Sequence, residues 1–84
     1  MTEKKIKVER VQTGVRIEKR MLKVLKAIAE YHEISLGDLL EGIVLHAFEG
    51  QSPFDAKSIQ RIDALKKIYE MGYDISAAHN FIEE

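Results

Sequence analysis

Within one stretch, TGVRIEKRMLKVLKAIAEYH (residues 13–32), the apolar spacing changes period. Val15 and Ile17 alternate with Gly14 and Arg16, which is the period-two pattern of a strand. Leu22, Leu25, Ile28 and Ala29 then recur at steps of three and four, the pattern of a helix. A lone short strand leaves its backbone N–H and C=O groups without partners, so something must pair with it. The chain has 84 residues, which allows one small domain with a modest core. It has no cysteine, so disulfides and thiolate metal sites cannot supply the missing stability. A second copy of the chain is the economical support.

The rest of the sequence reads as helices. Lys, Leu, Ala and Glu dominate a first helix over about 18–33, beginning at Glu18 or Lys19. Its two apolar lines, Leu22/Leu25/Ile28/Ala29 and Met21/Val24/Ala27/Tyr31, form a sector wide enough for several neighbours. Ser35 with Asp38 three residues later resembles a capping box and opens a second helix. Leu36, Leu39, Leu40, Ile43, Val44, Ala47 and Phe48 form its stripe. Gly50 stands where a left-handed cap is expected, with Pro53 just beyond. The connection between these two helices is then residues 33–35 alone. Gly42, inside the second helix, costs about 1 kcal/mol against Ala and points to a close approach at a dimer axis. A third helix is expected over 55–71 with Gly72 as its stop, followed by Ser76 as the N-cap of one or two further turns.

Charge is unevenly spread. Residues 1–26 hold nine bases and three acids, a net of +6, while the remainder holds four bases and eleven acids, a net of −7. Such asymmetry fits an anion-binding face at the N-terminal end. The acids of the C-terminal half form no spaced catalytic pair, and Ser35 has no companion base, so no enzyme is indicated. His32, His46 and His79 are too scattered for a zinc site, and no metal or cofactor is expected. No apolar run reaches a membrane span and no signal-peptide pattern opens the chain, which leads to the expectation of a cytoplasmic protein.

The alternation up to Ile17, the helix with Met21, Leu22, Leu25 and Ile28 inward, the Ile34–Ser35 turn and the helix with Leu39, Leu40, Ile43 and Val44 inward resemble the ribbon-helix-helix superfamily of prokaryotic DNA-binding repressors. The resemblance covers residues 11–50, about half the chain. It implies a mainly α fold with one short N-terminal strand. Two chains would pair these strands into an intermolecular antiparallel ribbon over four helices. Residues 1–10 would be a basic arm and 51–84 a C-terminal helical extension.

Carried over by register, the base-reading positions are Gln12, Gly14 and Arg16, on a ribbon of a size that the major groove admits. Phosphate contacts fall to Lys19 and Arg20, and to the backbone at Ser35, Leu36 and Gly37, because helix N-termini attract anions. The dimer core would hold Val15, Ile17, Leu22, Leu25, Ile28, Leu39, Leu40, Ile43 and Val44. Gly14 offers no side chain for reading a base, and Glu33 takes a turn position where the family often has glycine. The implied function is a repressor-like regulator that binds double-stranded DNA as a homodimer, with further assembly on DNA open to it. Two alternatives stand beside it. One is an antitoxin-type regulator holding a protein partner through 55–84. The other is a dimeric interaction module that no longer binds DNA. A different local fold also competes: residues 5–11 and 15–17 paired as an intrachain hairpin about Gly14, which would remove Gln12 from base reading.

Overall fold

The computed structural model describes residues 5–84. Three helices follow one another: α1 (Lys19–Tyr31), α2 (Leu36–Phe48) and α3 (Ala56–Ile68), with a single 3-10 turn at Ile75–Ala77. The molecule is mainly helical, as its sequence pattern requires. The first four residues of the basic arm lie outside the described residues.

Each helix begins where a side-chain oxygen takes over amides that have no intrahelical partner. The Glu18 carboxylate accepts from the amides of Arg20 and Met21 at 3.0 and 3.2 Å. Ser35 Oγ accepts from the Asp38 amide at 3.1 Å, so the expected N-cap of α2 is formed. Asp55 does the same for Ser58 at 2.8 Å. Each helix also ends in one way: a residue with positive φ follows the last turn, and the next amide reaches back to a carbonyl of that turn. Ile34 N–H donates to Ala29 O, Gln51 N–H to His46 O, and Met71 N–H to Lys66 O. The left-handed residues at these three ends are Glu33 (φ 57°), Gly50 (φ 68°) and Glu70 (φ 56°). Gly50 therefore caps α2 as its place in the sequence foretells. The third helix stops earlier than expected, with Glu70 rather than Gly72 in the reversing position. The further turns expected after Ser76 reduce to the 3-10 turn, whose N-cap is Asp74, accepting from Ser76 N–H at 3.0 Å.

The wide apolar sector of α1 is used as anticipated: α1 packs on both α2 and α3. Val24, Ile28 and Ala29 of α1 and Leu39 of α2 form the buried core, with Leu25, Ile43, Phe54, Ile62, Leu65, Tyr69 and Met71 against them. α3 covers the Val24–Tyr31 side of α1, where Arg61 lies 3.9 Å from the centre of the Tyr31 ring. The opposite line is left half-covered, at Leu22 and Leu25.

Residues 5–17 correct an expectation. Among the described residues there is no strand, neither at 11–17 nor as a hairpin of 5–11 with 15–17. The physical reason is the one that made the lone strand suspect: within one chain nothing lies alongside to complete a ladder. Val15, expected to point into a core, is 71% exposed, and Val44 of α2 is 43% exposed. Ile17, Leu22, Leu25, Leu40 and Ile43 are half-buried, and of the expected dimer core only Ile28 and Leu39 are buried within the chain. Gly42 makes no close approach here, since a Cβ placed on it meets nothing within 4 Å.

Candidate nucleic-acid interface

The irregular segment before α1 does not wander free of the helices. The Arg10 guanidinium forks onto the Glu41 carboxylate of α2 with bonds of 3.0 and 2.9 Å. This pairing raises the Arg10 pKa and lowers that of Glu41, chiefly through the hydrogen bonds themselves. Pinned there, the segment forms one wall of an open groove of about 1450 Å³. The other wall is the start of α2 with the half-covered flank of α1. Gln12, Gly14, Val15 and Ile17 line one side, and Leu22, Lys26, Ser35, Leu36 and Gly37 the other.

Two groups of expected site residues thus meet. Gln12 and Gly14, assigned to base reading, face the same groove as Ser35, Leu36 and Gly37, assigned to a phosphate. The amides of Leu36 and Gly37 donate to no group among the described residues, and helix N-termini carry partial positive charge. Asp38, in the first turn, works against an anion there, while Lys26 across the groove works for one. The absent side chain of Gly14 leaves open space, because a Cβ there meets nothing within 4 Å.

Arg16 is placed apart from that groove. Its guanidinium is exposed and ion-paired with Glu83 of the C-terminal tail. Lys19 is exposed on the first turn of α1. Arg20 is more occupied than a phosphate-contacting role requires. It bonds to the Glu18 carboxylate at 3.2 Å and to the Glu70 carbonyl at 3.3 Å, and stacks 5.5 Å from the Tyr73 ring centre. It works as a clip between the ends of α1 and α3.

Glu18 is the residue whose importance sequence reasoning missed. Besides capping α1, its carboxylate accepts a hydrogen bond from the Tyr73 hydroxyl. That bond, with the Arg20 amide next, holds the Glu18 pKa down to about 2. Burial first, and the same hydrogen bond second, push Tyr73 up to about 12. Nothing local in the sequence announces a contact between residues so far apart; the one available signal was an acid at a helix start.

No family model, no curated protein and no solved structure matches this chain. No helix among the described residues is long and apolar enough to cross a membrane.

Proposed function

We propose that the chain acts as a ribbon-helix-helix homodimer that binds double-stranded DNA and regulates transcription. The observation that carries this reading is the state of residues 11–17. They form neither helix nor strand, their backbone groups make no hydrogen bond among the described residues, and 11–16 are exposed. They lie directly ahead of two helices joined by the four residues 32–35, and beside a groove that already holds α2's free amides. Pairing with the same segment of a second chain would satisfy its backbone and cover Val15. It would also present Gln12 and Arg16 on the outer face of a two-stranded ribbon that the major groove can receive. Gln is suited to adenine N6 and N7, and Arg to guanine O6 and N7. Lys19 and the start of α2 would take backbone phosphates, which set affinity and register but carry no sequence information.

A salt titration tests this directly. Affinity for DNA selected from a random pool should fall steeply and linearly in log–log form as salt rises. Arg16→Ala should cost about 1–3 kcal/mol at the selected site and relax preference at one base pair. A protein that fails to retain any DNA at low salt is not a DNA regulator, and the dimeric interaction module becomes the better reading.

A further inference from the structure

The C-terminal tail carries a contact that the DNA-binding reading leaves unused. After α3 the chain turns back toward the start of α1. Tyr73 is fastened there by its bond to Glu18 and by Arg20 over its ring. The 3-10 turn at Ile75–Ala77 reverses the direction once more, and Asn80 N–H closes onto Ala77 O at 2.9 Å. Phe81 then packs edge-on against Tyr73, with ring centres 5.1 Å apart and planes at 77°. Two residues later Glu83 meets the Arg16 guanidinium, with Glu84 beside it in sequence. The tail therefore lays a carboxylate on the one base-reading side chain that bears a positive charge.

We infer that residues 80–84 form an autoinhibitory strap, in which Glu83 occupies the Arg16 guanidinium as a DNA oxygen would and must be displaced before DNA is read. This rests on the reading of Arg16 as a DNA contact. An exposed ion pair stabilises little by itself and is screened by salt. Here the Phe81–Tyr73 and Tyr73–Glu18 contacts keep the acid in place, so the competition is intramolecular and acts at a high effective concentration. The strap lowers affinity and stays reversible, since either loosening Phe81 or neutralising Glu83 releases the guanidinium.

The test compares the full chain with Glu83→Gln, with Phe81→Ala, and with Glu49→Gln, which removes the same charge at the far end of α2. The probe is a pool of random-sequence duplexes two helical turns long. Glu83→Gln and Phe81→Ala should bind about two- to fivefold tighter than wild type at low salt, the range open to an exposed pair, and the gap should close as salt rises. Glu49→Gln should match wild type. Wild-type binding that neither tail variant improves overturns the strap while leaving the DNA reading intact. Equal gains in all three variants also overturn it, because net charge alone would then explain them. If no protein binds DNA, the DNA reading falls and the strap with it. An NMR shift of the Arg16 Nη–H resonances on Glu83→Gln reports the contact itself, independent of DNA and of any loss of stability.

Discussion

Glu18 shows how a single residue joins the two halves of this fold. Its carboxylate caps α1 and receives the Tyr73 hydroxyl, so the helix start and the C-terminal tail depend on one ionised group. A folded value near 2 lies below the ordinary 4.5. The stabilisation is therefore fully present above about pH 4.5 and is lost as pH falls toward 2. Tyr73 has the opposite sign: its value is raised from 10 to about 12, so its contribution holds below pH 10 and disappears as pH climbs through 12. Tyr73→Phe keeps the ring and removes the donor. It should lower stability at neutral pH by about 1 kcal/mol, less than the roughly 1.5–3 kcal/mol of a buried bond to a charged group because Glu18 is partly exposed. It should also weaken both pH dependences, measured as the urea midpoint from pH 7 down to 2.5 and up to 11.5. Wild-type and mutant curves that run parallel at both ends would show that this bond is not formed. Glu18→Ala, which also removes the cap, should cost more than Tyr73→Phe.

At the scale of elements, helix starts were far more legible than helix ends. Ser35 and Asp55 cap because a short polar side chain can reach the third amide, and that chemistry is visible in a sequence. The ends follow a different rule. A chain reversing out of a helix needs one left-handed residue, and glycine is the residue with no steric cost there. Gly50 obeys, but Glu33 and Glu70 occupy the same position in α1 and α3. The glycine that caught attention after α3, Gly72, is not the reversing residue. Two helix ends thus carry strain that no local signal betrays. Glu33→Gly should raise stability by about 0.5–1 kcal/mol, the left-handed penalty less the entropy glycine adds to the unfolded chain. Chemical denaturation measures this, and a loss of stability would mean that the Glu33 side chain supplies something larger than the strain it causes. Gly50→Ala should move the other way by about 1 kcal/mol.

The whole molecule exposes more surface than its mass warrants. Its accessible area is 7876 Å², against about 5,100 Å² expected for a folded monomer of 9.6 kDa. Its radius of gyration is 14.7 Å, where a compact chain of this length gives about 12 Å. Exposed apolar side chains lie along the whole chain: Val8, Val11 and Val15 before α1, Val44, Leu45 and Phe48 on α2, Ile59 and Ile68 on α3, and Ile75 and Ile82 in the tail, while Leu22 and Leu25 of α1 stay half-covered. Of the nine residues assigned from the sequence to a dimer core, the single chain leaves Val15 and Val44 exposed and five more half-covered, and it buries Ile28 and Leu39 itself. One chain cannot display the proposed dimer core for a physical reason: in that proposal the strand and its core would need the partner's atoms. Obligate homodimer interfaces bury about 2,000–5,000 Å², and the excess of roughly 2,800 Å² per chain can supply that. Stability should then depend on concentration, because association and folding are linked. Each tenfold dilution should lower the thermal midpoint by a few degrees. Val15→Asp should leave α1 and α3 packed as they are but shift sedimentation toward monomer, since a charge there is costly only when a second chain covers it. A thermal midpoint that ignores dilution, together with a wild-type monomer at micromolar concentration, would remove the partner from this account and leave the exposed valines unexplained.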